Sequence, residues 1–117
     1  MECVFCQLIE GELPSYKVHE DDHSLIILDA NPVNPGHLLV ITKKLFNSLQ
    51  VIQEDDAIAL VRTVLKMYRL VAGSGCAGTN ILQNNGKAAG QEVPHVHFHI
   101  IPDTQMMVLV RNTRECR

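Results

Sequence analysis

The sequence predicts an α+β domain: an antiparallel sheet of about five strands lies against one long helix, with a short helix at the N-terminus. Three observations carry this. Residues 54–72 repeat apolar positions at helical spacing, several shorter apolar runs are bounded by turn residues, and consecutive runs are joined by short turns. With 117 residues, 46% hydrophobic and 20% charged, the chain can bury its own core. It reads as a single domain spanning residues 1–117, with its core at 3–102 and a divergent tail at 103–117.

Taken in order, residues 4–13 mix apolar pairs with polar residues and predict a short helix ending near Gly11 and Pro14. Tyr16 to His19 and Ser24 to Leu28 flank the polar turn Glu20-Asp21-Asp22, which predicts a hairpin. Asn31-Pro32-Val33-Asn34-Pro35-Gly36 cannot extend a ladder and forms a loop. Leu38 to Thr42 has the length and composition of a buried strand. In the long helix, Ala57, Leu60, Val61, Val64, Leu65, Tyr68 and Val71 define the expected core face, with Arg62, Lys66 and Arg69 opposite. Glu54, Asp55 and Asp56 suit the positive end of its dipole, and Gly73 stops it. Thr79 to Gln83 predicts a strand, residues 84–90 a glycine-rich loop, and His95 to Ile101 the last clear strand. The run Met106 to Val110 is apolar enough for a strand or an interface element.

The charge of −3 and the scattered basic residues argue against a nucleic-acid partner. No apolar run approaches the roughly 20 residues of a membrane span. The first residues lack the pattern of a signal peptide, and four cysteines without one read as thiols or metal ligands in a cytoplasmic protein. Cys76 and Cys116 have no spacing partners, and His19 and His23 flank a charged turn as surface residues.

The chemistry concentrates in His95-Val96-His97-Phe98-His99. Strand alternation puts the three imidazoles on one face and the apolar residues in the core behind them. The outer two Cα atoms of such a row lie about 13 Å apart, too far for one zinc with bonds of about 2.0–2.1 Å to hold all three comfortably. At least one histidine therefore has another task. A row of imidazoles beside a backbone-rich loop suits an anionic substrate, one ring acting as nucleophile and others as donors.

The segment His95 to Ile101 resembles the signature of the histidine triad superfamily. The resemblance extends over Cys3 to Ile9, Leu28-Asp29-Ala30, Pro35 to Ile41, and Asn84-Asn85-Gly86 leading to Gly90-Gln91-Glu92. It is nearest to the small nucleotide-binding branch, related to nucleoside phosphoramidases and dinucleoside polyphosphate hydrolases. The resemblance implies that His97 attacks the α-phosphorus of a nucleotide conjugate, forming a nucleotidyl-histidine that water converts to a nucleoside monophosphate. It implies that a carbonyl on the same strand holds the second nitrogen of His97. By the same resemblance His99 binds phosphate oxygens and assists the leaving group, and His37 supports it from behind. Asn84 and the backbone around Gly90 and Gln91 match the phosphate-contacting loop, Asp29 the ribose-binding carboxylate, and Phe5, Leu8, Leu13 and Ile27 the frame around a purine base. Glu92 stands where Ser or Thr often contacts the leaving group, and Asp103 where a basic residue is frequent.

No cofactor is required by this chemistry. Relatives with the Cys3-x-x-Cys6 pair often carry a structural zinc on both cysteines, the first triad histidine (here His95) and a further histidine. Leu45 stands in that last place, so the expected zinc site lacks its fourth ligand. The resemblance also implies a homodimer. Two other readings of the residues remain open at this point: a non-catalytic nucleotide-binding or scaffold protein, and a zinc hydrolase built on the histidine row.

Overall fold

The computed structural model describes residues 3–103; the Met106–Val110 run lies outside the described residues. Five strands form one antiparallel sheet in the order β1-β2-β3-β5-β4. They are β1 (Lys17–Glu20), β2 (Ser24–Leu28), β3 (Leu38–Thr42), β4 (Gly78–Leu82) and β5 (His97–Asp103). Helix α1 (Val4–Ile9) precedes the sheet, and α2 (Glu54–Ala72) connects β3 to β4. The α+β architecture with one long and one short helix is the one the sequence predicts.

The sheet has core on both faces because β2 and β3 are apolar at successive positions. Ile26, Leu38, Val40 and Ile100 turn toward α2, where Leu60, Val64 and Met67 meet them together with Val96. Leu25, Ile27, Leu39 and Ile41 turn the other way, with Phe5 of α1 and the half-buried Leu8 and Ile9. Strand pairing sets Ile41 opposite His97, and Leu39 opposite His99. Alternation therefore carries both imidazoles to the α1 face, while the same strand's Ile100 packs beneath the long helix.

Two sequence expectations shift in position. On α2 the buried residues are Leu60, Thr63, Val64 and Met67, whereas Val61 and Leu65 are 54% and 43% exposed. The apolar stripe is wider than the surface one sheet can cover. Thr63 reaches the contact face because its hydroxyl donates to Asp21 Oδ2 at 2.8 Å, tying the helix to the β1–β2 turn. The last strand starts at His97, not His95, and runs through Pro102 to Asp103. The carbonyl of Pro102 accepts from Asn34 Nδ2 at 2.9 Å, beyond the end of β3. Its missing N–H faces the same way, so no ladder bond is lost and the proline does not end the strand.

Candidate active site

His97 is 7% exposed and is fixed from both ends. Its Nδ1 lies 2.7 Å from the carbonyl oxygen of His95. A carbonyl only accepts, so Nδ1 carries the proton and the neutral ring presents Nε2 as a lone pair. Phe5 meets the ring edge-on at a centroid distance of 4.8 Å, an apolar contact that sets its tilt. Burial pushes the His97 imidazole below its ordinary range, against the opposing pull of the His95 carbonyl and of the Asp29 and Glu92 charges.

A second chain of hydrogen bonds fixes His99. The backbone N–H of Val33 donates to His37 Nδ1 at 3.1 Å, so the proton of the neutral His37 ring sits on Nε2. That nitrogen is 2.9 Å from His99 Nδ1 and 3.4 Å from Asp29 Oδ2. His99 Nδ1 is thus an acceptor, its proton is on Nε2, and that N–H has no hydrogen-bond partner among the described residues. Burial first, then the neighbouring His97 and His37, push His99 down to about 4. Burial also lowers His37, with Asp29 opposing. His97 and His99 therefore have opposite tautomers: His97 offers an electron pair, His99 a hydrogen.

A cavity of about 370 Å³ gathers Phe5, Asp29, His37, Asn84, Gly90, Glu92, His97 and His99. Asn31, Val33, Leu39 and Val93 line it as well and were not singled out from the sequence. Leu39 carries the one usable signal, since it sits two residues after His37 on the same strand face. A neighbouring apolar recess of about 500 Å³ is lined by Phe5, Leu8, Ile27 and Asp29, together with Tyr16 and Leu39. Leu13 is half-buried and lines neither space. Asp29 Oδ1 accepts from the Asn31 N–H at 2.9 Å, which anchors the turn and leaves Oδ2 toward His37.

Gln91 does not line the cavity either. Its buried amide braces the loop: Oε1 accepts from the Gly86 N–H at 2.6 Å, and Nε2 donates to the Asn47 carbonyl at 2.7 Å. Gly86 and Gly90 enter and leave the turn at φ values of 95° and 96°, a region that side chains disfavour. Asn84 Nδ2 reaches back to the Gly90 carbonyl at 3.4 Å, closing the loop beside His97.

His95 is fully buried and does not line that cavity. Its Nε2 donates to the Thr42 carbonyl at 2.7 Å, which leaves Nδ1 as a lone pair. That lone pair meets Cys3 Sγ at 3.2 Å and Cys6 Sγ at 3.7 Å. The three donors fit a zinc ion in kind and in direction, while Leu45 is exposed and contributes none. Asp29, His37 and His99 form the other group of closely spaced potential ligands among the described residues, and it lies inside the reaction cavity. No helix among those residues is long and apolar enough to cross a membrane.

A family model described as the HIT domain matches residues 10–106. An adenylylsulfatase from Arabidopsis thaliana is 40% identical over 116 residues, covering 98% of this chain but 55% of that protein. An adenosine 5'-monophosphoramidase from Schizosaccharomyces pombe is 38% identical over 102 residues, covering 87% of this chain and 74% of that one. Among solved structures, a member of the HIT family from Bacillus subtilis superposes with a TM-score of 0.83 at 41% identity, covering 87% of this chain and 73% of that chain.

Proposed function

The chain belongs to the HIT-domain family, and from that membership we propose that it is a nucleotide hydrolase cleaving purine nucleotide conjugates at the α-phosphate through a covalent intermediate on His97. The observation that carries this reading is the pair of opposed tautomers within one cavity: a lone pair at His97 Nε2 and an unpartnered N–H at His99 Nε2. The relatives whose names give an activity act on adenosine 5'-phosphate conjugates, with an amine in the phosphoramidases and sulfate in the adenylylsulfatase. A shared nucleotidyl part with variable leaving groups is what a nucleotidyl-enzyme intermediate permits.

In this mechanism His97 Nε2 bonds to the α-phosphorus as the bond to the leaving group breaks. The ring then carries positive charge because Nδ1 keeps its proton, and the His95 carbonyl, Asp29 and Glu92 all favour that charge. His99 Nε2–H hydrogen-bonds to the departing atom and keeps its proton; the departing atom takes a proton from solvent, and the water that later attacks phosphorus returns one. Water next displaces His97 from phosphorus, so conjugate and water become nucleoside monophosphate and the protonated leaving group. Fixed donors of this kind supply transition-state stabilisation without reorganisation. The apolar recess beside Phe5, Leu8 and Ile27 would take the base, and Asp29, between the two spaces, the ribose.

The test is turnover of adenosine phosphoramidate, adenylyl sulfate and diadenosine polyphosphates, with and without a chelator, by wild type and His97→Ala. Turnover by wild type should persist in chelator. The variant should lose activity while its affinity for a nucleoside monophosphate stays within about tenfold, or 1.4 kcal/mol. Comparable turnover by both proteins would remove His97 as nucleophile. Nucleotide binding without turnover by wild type would favour a binding protein instead.

A further inference from the structure

The reaction cavity takes an unusual electrostatic position for one expected to hold phosphate. Among the described residues lining it there are two carboxylates, Asp29 and Glu92, and no lysine or arginine. Neutral histidines and backbone groups can bind one phosphate charge, but a chain of further phosphates would enter against two like charges.

A second cavity of about 560 Å³ lies alongside, lined by Asn47, Ser48, Gln50, Asn85 and Lys87 among others. Glu92 is the one residue lining both spaces. It is exposed, and its carboxylate makes no hydrogen bond or ion pair with another described residue. Asp29, by contrast, is occupied by Asn31 and His37. An unmatched carboxylate therefore stands at the boundary between the two cavities. Lys87 keeps the second cavity from being uniformly negative, but it does not line the reaction cavity.

We propose that the second cavity receives the leaving group, and that Glu92 selects leaving groups bearing a positive charge close to the scissile bond. This rests on the hydrolase reading above and narrows it: amine conjugates with a further ammonium group are favoured, and polyphosphate leaving groups are disfavoured. The carboxylate acts on the substrate's charge, which distinguishes it from a residue that merely shapes the cavity.

The experiment compares two adenosine 5'-phosphoramidates, one of propylamine and one of ethylenediamine. Their side chains match in length and differ in a terminal methyl against a terminal ammonium. The ratio of kcat/KM for the two is measured in wild type and Glu92→Gln, so that the intrinsic reactivity difference cancels. Glu92→Gln should lower the preference for the ammonium compound by a few-fold, up to about fivefold, the upper end for an exposed charge pair, and added salt should weaken the wild-type preference. An unchanged ratio, with both compounds hydrolysed, would overturn the assignment of Glu92 and leave the hydrolase reading intact. Hydrolysis of neither compound by wild type would sink the hydrolase reading, and this inference with it.

Discussion

At the scale of single residues, the site works by deciding where protons sit. The histidines of the site are all neutral-favouring, because burial is the largest influence on His37, His95, His97 and His99 alike. The sign of the consequence is set by the unfolded chain, whose imidazoles titrate near 6.5 while the folded ones resist protonation, His99 down to about 4. As pH falls below about 6.5 the unfolded state takes up more protons, so stability is full above that point and declines toward pH 4. Unfolding free energies from urea titrations at about pH 7.5 and pH 5 should differ by on the order of 2 kcal/mol, with the lower value and the lower midpoint at the acidic end. Equal midpoints would mean that these rings are not held neutral by the fold. The family resemblance implies a carbonyl partner for His97, whereas the tautomer of His99 was out of reach in the sequence. Alternation foretells that His97 and His99 share a face, but not that Val33 and the His95 carbonyl orient their protons.

Elements show where sequence periodicity suffices and where it stops. β3 and α2 have the bounds the sequence predicts, Leu38–Thr42 and Glu54–Ala72, since each is marked by composition and by breakers at its ends. The rotation of α2 about its axis was not legible, because its apolar residues cover more than one face and only tertiary contact selects Met67 and Thr63. Gln91 has a role that the sequence does not mark: its motif points to the backbone of the loop, while its buried side-chain amide braces that loop from within. β5 begins at His97, and His95, still on the α1 face, meets the thiols of Cys3 and Cys6 and does not line the cavity. We propose that Cys3, Cys6 and His95 hold zinc weakly, as three ligands where a closed structural site uses four. Metal analysis of protein purified without added zinc should give well below one ion per chain, and Leu45→His should raise the content. A full equivalent in the unaltered protein would show that another group completes the site.

For the molecule as a whole, the two edges of the sheet are treated differently. β1 carries a bulge between Lys17 and His19, and Glu20 pairs with both Lys17 and Lys43 at 2.7 Å, features that discourage another strand from adding there. β4, at the opposite edge, has no charged residue and exposes Ile81 and Leu82, while Ile58, Val61 and Leu65 form an uncovered stripe on α2. We propose a two-fold homodimer joined through these surfaces, with a mass of about 26 kDa, twice the 13.0 kDa chain. Light scattering should give that mass for wild type and the single-chain mass for Leu65→Glu; a monomeric wild type would end the proposal. The two-faced sheet described earlier has another consequence, for how such a sequence can change over time. Along β3 and β5, neighbouring positions answer to different demands: Leu39, Ile41, His97 and His99 to the α1 face that carries the cavity, and Leu38, Val40 and Ile100 to the long helix. A substitution under the helix can be compensated by repacking against Leu60, Val64 or Met67 without entering the cavity, because the backbone of the sheet stands between. Selection for temperature and selection for substrate can therefore proceed on alternate letters of the same strand, each largely blind to the other.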